Sequence, residues 1–95
     1  MEDRKSYIGK MAAKLKEWDD EVQKLEAKAD KAKADVKAEY RQRIEELQSK
    51  KEEAQQKLNK LQEAGEGAWE DLKGGVEQSW KILGDAVKSA RSKLK

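Results

Sequence analysis

From Ile8 to Val36 the apolar residues fall at heptad spacing without a miss. Ile8, Met11, Leu15, Trp18, Val22, Leu25, Ala29, Ala32 and Val36 follow one another at alternating steps of three and four. On a helix this repeat makes one narrow apolar seam, which is buried only against another helix. The stretch therefore constrains the chain to an all-α packing module. Its later part, AKADKAKADVKA, places alanine at the seam, where little area is buried but a partner helix can approach closely. Large seam residues at one end and small ones further along suit an antiparallel copy of the same segment. With paired residue numbers adding to 47, Trp18 meets Ala29, Leu15 meets Ala32 and Val22 meets Leu25. Met11 meets Val36 in the same register, and in two of these layers a large side chain faces a small one, as dense packing requires. The expected interface of a homo-oligomer, an antiparallel dimer or higher, is this seam.

Either Asp3 or Ser6 suits an N-cap, but neither has Glu or Gln three residues later to complete a capping box. Beyond Val36 the phase slips. Tyr40, Ile44 and Leu47 come next, so Val36 to Leu47 spans eleven residues, an insertion of four that locally unwinds a left-handed supercoil. The repeat resumes through Ala54, Leu58 and Leu61, with Lys51 at a seam position. A polar seam residue either selects register and oligomer state or extends its ammonium out to water. Glu39–Arg43, Glu46–Lys50 and Glu53–Lys57 are i,i+4 pairs worth about 0.2–0.5 kcal/mol each, the mark of a solvated face. The one clear break in the sequence is Ala64-Gly65-Glu66-Gly67, read as a helix C-cap and turn. Residues 1–64 are thus expected to form one long coiled-coil helix, its stretch from Ser6 to Ala64 roughly 90 Å at 1.5 Å per residue, and 65–67 a turn.

Residues 68–95 have a repeat of their own. Trp69, Leu72 and Val76 recur eleven positions on as Trp80, Leu83 and Val87, and Leu94 continues the leucine phase. Eleven residues at 100° return to within about 20° of the start, so these seven side chains share one stripe. Gly74, Gly75 and Gly84 each weaken a helix interior by about 1 kcal/mol, so this helix needs a surface to fold against. One such surface is the second half of the long helix, with Tyr40, Ile44, Leu47, Leu58 and Leu61 facing Trp69, Leu72, Val76, Trp80, Leu83, Val87 and Leu94 in a helical hairpin. A second is another chain. The third is a membrane surface, since tryptophans and flanking bases suit an interfacial helix.

Charged residues make up 44% of the 95, with no Phe and no Pro, yet the net charge is only +2. Mixed signs on a helical period describe a long helix or coiled coil rather than a disordered chain. No global field or basic stripe draws the chain to nucleic acid. Gln62–Trp80 holds five acids and one lysine, and Lys81–Lys95 five bases and one acid. That polarity matches a helix dipole, or supplies a basic terminal handle for anionic lipid. No run approaches the ~18 apolar residues of a membrane span, and the first residues lack the apolar core of a signal peptide. A cytoplasmic location is the expectation.

With no His and no Cys, the chain lacks the commonest general base, the commonest metal ligand and the best nucleophile. Carboxylate runs such as Asp19-Asp20-Glu21 and Glu45-Glu46 sit among lysines, and the Glu-x-x-His pairs of a di-metal bundle cannot occur. The glycines of GEGAWEDLKGG match neither a phosphate-binding loop nor a dinucleotide fingerprint. The chain is expected to be no enzyme and to hold no cofactor or metal.

The runs SYIGKMAAKLKEWDDEVQKLEAKADKAKADVKAEY, IEELQSKKEEAQQKL and GAWEDLKGGVEQSWKILGDAVKSA resemble a family of short bacterial proteins described as coiled-coil domain-containing or stress-response proteins. The pattern AWEDLK…V…W…L…A…SA is its most specific part, because heptads alone resemble any coiled coil. The resemblance implies an all-helical rod with a structural or stress-protective role and no catalytic residues. The last segment is also loosely similar to the eleven-residue amphipathic repeats of lipid-binding apolipoproteins and desiccation-protective proteins, which implies lipid binding as the competing role.

Overall fold

Helix α1 (Arg4–Lys31) starts where Asp3, in extended conformation, turns its carboxylate back to accept from the Lys5 backbone N–H at 3.0 Å. The first intrahelical bond, Tyr7 N–H to the Asp3 carbonyl, is 3.0 Å, so of the two cap candidates Asp3 is the one used. In this computed structural model, which describes residues 3–93, the chain continues as α2 (Ala34–Gln62) and α3 (Glu66–Lys93). Every element among the described residues is a helix.

The single helix expected over 1–64 is therefore two helices. Ala32 (φ −78°, ψ 158°) and Lys33 (φ −66°, ψ 154°) are extended, and α2 turns back along α1. Nothing local forces the break, since neither residue is Gly or Pro. The reason is tertiary. Folding back lets α2 bury Ile44, Leu47, Ala54, Leu58 and Leu61 in one core with Leu15, Val22, Leu25 and Ala29. Each large apolar side chain so buried is worth about 1.5–3 kcal/mol. The break forfeits a few backbone hydrogen bonds near exposed residues, each worth about 0.5–1.5 kcal/mol net.

The second break also differs from its expected form. Glu63 stays in the right-handed region (φ −89°, ψ −5°), and its N–H reaches the Asn59 and Leu61 carbonyls. No described residue has positive φ, so no left-handed glycine caps α2. Instead the Gly65 carbonyl accepts from the N–H groups of Ala68 and Trp69, both at 3.1 Å, and opens α3. Gly67 lies inside the first turn of α3 rather than in the connection.

The three helices run up, down and up in a rod of 51 × 17 × 17 Å. Asp30 with Arg41 and Asp19 with Lys51 mark α1 and α2 as antiparallel. Tyr7 with Trp69 and Glu21 with Arg91 mark α1 and α3 as parallel. A single apolar cluster runs through all three, and no polar or charged residue is buried among the described residues. Ala29, Ala54 and Ala90 are part of it, and small residues of this kind let helix axes come close. No helix among the described residues is long and apolar enough to cross a membrane.

Candidate functional site

The chemistry-bearing side chains gather along the helix seams, and each seam is built differently. Between α1 and α3 the spacers are aromatic. Tyr7 meets Trp69 edge-on, with ring centroids 5.9 Å apart and planes at 70°, and Trp18 meets Trp80 at 6.4 Å and 56°. The first is the edge-to-face geometry that ring quadrupoles favour, and the second is a tilted contact at a similar separation. The polar tips are satisfied: Trp80 Nε1 donates to the Met11 carbonyl at 3.1 Å, and the Tyr7 hydroxyl donates to Glu77 at 3.3 Å. Cations rim the rings, with the Arg4 guanidinium 4.4 Å from the Trp69 centroid, Lys73 4.9 Å from Tyr7 and Lys14 5.6 Å from Trp18. Arg4 also donates to the Ala64 carbonyl at 3.2 Å and so ties the start of α1 to the α2–α3 connection. Gly84 is a spacing device. A Cβ there would stand 3.0 Å from Cζ2 of Trp18, so the indole lies directly on the α3 backbone.

The α1–α2 seam is closed by leucines and one ion pair. Lys51, the polar residue in the second heptad run, donates to Asp19, which also accepts from Gln23 at 3.1 Å. The Lys51 hydrogen bond holds the Asp19 carboxyl below its ordinary value of 3.8, against an opposing push from partial burial. Both side chains keep solvent contact, at 27% and 37% exposure, so the pair orders register more than it stabilises. Gln48 donates to Glu26, and Arg41 reaches Asp30 at 3.0 Å, continuing the polar border of this seam toward the break at Ala32–Lys33. On α2 itself Glu39 and Arg43 pair at 3.7 Å.

At the break itself α2 begins at Lys33, which provides no capping side chain for the leading N–H groups that a helix start leaves without intrahelical acceptors. Three residues on, Val36 is 39% exposed, although it belongs to the heptad seam. Ile82 on α3, at 50%, is the other large apolar side chain left open among the described residues.

Of the seam assigned to an oligomer interface, Leu15, Val22, Leu25 and Ala29 are buried within their own chain. Ile8, Met11, Trp18 and Ala32 are half-buried, and Val36 is exposed. The partner that covers this seam here is α2 and α3 of the same molecule. In the second group Ile44, Leu47, Leu58, Leu61, Val76, Trp80, Leu83 and Val87 are buried, while Tyr40, Trp69 and Leu72 are half-buried. Leu94 lies outside the described residues. Sequence reasoning passed over Tyr7 and Ala90. Tyr7 sits four residues before Met11, on the flank of the seam, and Ala90 fills the place of a large residue in the α3 stripe. No family model, curated protein or solved structure gives a significant match to this chain.

Proposed function

We propose that this chain is a non-enzymatic helical association module that assembles with copies of itself. The observation that carries the reading is the uncovered end of the heptad seam. The stripe from Ile8 runs unbroken in the sequence through Val36, yet its last member stands open to solvent at an uncapped helix break. Apolar seams in a chain with 44% charged residues are its means of recognition, and helix pairing is the interaction they encode. The resemblance to coiled-coil and stress-response proteins of bacteria supports a protective role for such assembly.

Light scattering across a concentration series tests the reading, with far-UV circular dichroism recorded on the same samples. The expected outcome is a mass that rises from monomer toward dimer while helicity holds. A monomer at every concentration overturns it. A second reading, peripheral lipid binding through α3, is favoured by the exposed Ile82 beside Lys81 and by the cationic end of that helix at Arg91 and Lys93. Anionic vesicles that pull the protein down and shift tryptophan emission to the blue would select this second reading.

A further inference from the structure

The break between α1 and α2 is made of residues that favour helix, and it interrupts a repeat that does not itself change phase until after Val36. Ala32 and Lys33 rank among the good helix formers. They are extended only because α2 folds back on α1. No glycine, proline or capping side chain holds the bend.

We propose that the chain exchanges α1 with a second copy by straightening at Ala32–Lys33, giving an antiparallel dimer of long helices with Val36 at its two-fold axis. The proposal rests on the self-association reading above and names its interface. The register inside the monomer supplies the geometry. Facing residue numbers add to 70 for Asp19–Lys51, 71 for Asp30–Arg41 and 74 for Glu26–Gln48. When the bend opens, each α1 keeps these contacts but finds them on the partner's α2, which is the ordinary course of a domain swap. In an antiparallel pair a constant sum places the symmetry axis at half its value. The axis therefore falls between residues 35 and 37.

Val36 is the residue there. It is one of two large apolar side chains left exposed among the described residues. In the exchanged dimer it packs against the second copy's equivalent position and the seam alanine one turn before it. The same movement joins the leading N–H groups of α2 to carbonyls of the last turn of α1, which the monomer leaves without intrahelical partners. Every other seam contact is retained, so the dimer differs from two monomers by this central layer and the mended helix.

Two substitutions separate the outcomes. Lys33 has φ −66° and follows a residue with ψ 158°, the backbone that proline and its predecessor adopt. Lys33→Pro therefore fits the bent monomer and breaks the straight helix, and it should weaken dimerisation by at least about a hundredfold. Val36→Cys introduces the one thiol of a chain that has none. On oxidation it should form a disulfide-linked dimer, far faster than Ile82→Cys at the more exposed position, and Lys33→Pro in the same chain should suppress it. A dimer that persists in Lys33→Pro, or equal crosslinking at positions 36 and 82, overturns the exchange and leaves self-association standing. A wild-type chain that is monomeric at all concentrations overturns both.

Discussion

Gly84 and Gly74 are both helical glycines, yet their surroundings give them opposite mutational signs. Nothing lies within 4 Å of a Cβ built at Gly74 or Gly75, so alanine there gains helix propensity at no steric cost. Each of Gly74→Ala and Gly75→Ala should stabilise the chain by about 0.5–1 kcal/mol. At Gly84 the methyl would meet the rigid indole of Trp18 at 3.0 Å, and Trp18 is itself set against Trp80. Overpacking of this kind costs about 1–3 kcal/mol, more than the about 0.5–1 kcal/mol that alanine gains in helix propensity, so Gly84→Ala should be less stable than wild type. Urea unfolding midpoints of the three variants give the comparison, and a stabilised Gly84→Ala would refute the close packing of Trp18 on α3. The Asp19–Lys51 pair makes a second claim at this scale. Because Lys51 lowers the folded pKa of Asp19, the pair's stabilisation is complete above the unfolded value near 3.8. It is lost as pH falls through the lower folded value. For so exposed a pair the effect is under about 1 kcal/mol. Carbon NMR of the Asp19 carboxyl should show a midpoint below 3.8 that returns toward it in Lys51→Met.

Among the elements, the seams were legible and one of the breaks was not. A heptad names its buried face because helical geometry permits no other grouping, so Leu15, Val22, Leu25 and Ala29 could be placed together before any fold was known. The stripe of Val76, Trp80, Leu83 and Val87 was visible for the same reason through its eleven-residue repeat. Gly65 announced the second connection by composition, although its part proved to be a carbonyl opening α3 rather than a left-handed cap. The break at Ala32–Lys33 carries no local signal, because both residues favour helix and the apolar phase runs through them. It is decided by burial between elements far apart in sequence, which a reading of local propensity does not contain. Lys51 stood out as a polar seam residue, but its partner Asp19 was hidden, since that pairing follows from the break. The aromatic contacts of Tyr7 with Trp69 and Trp18 with Trp80 depend on it too, because only a three-helix closure brings α3 beside α1.

At the scale of the whole molecule, shape distinguishes the kinds of assembly. The monomer has a Cα radius of gyration of 15.3 Å and extents of 51 × 17 × 17 Å, more drawn out than the about 12 Å of a compact domain of this length. A dimer formed by docking two such rods side by side would widen the cross-section and leave the length nearly unchanged. Exchange at Ala32–Lys33 does the reverse, because each new bundle contains an α1 from one chain and an α2 and α3 from the other, and the two bundles share continuous helices through the centre. The cross-section stays that of three helices while the length approaches about 100 Å at 1.5 Å per residue. Small-angle scattering on the dimer fraction reads both dimensions at once. The expected result is a cross-sectional radius equal to the monomer's with a maximum dimension close to twice as large. A thickened particle of unchanged length would mean that the copies meet through their outer surfaces, with every α1 still on its own α2.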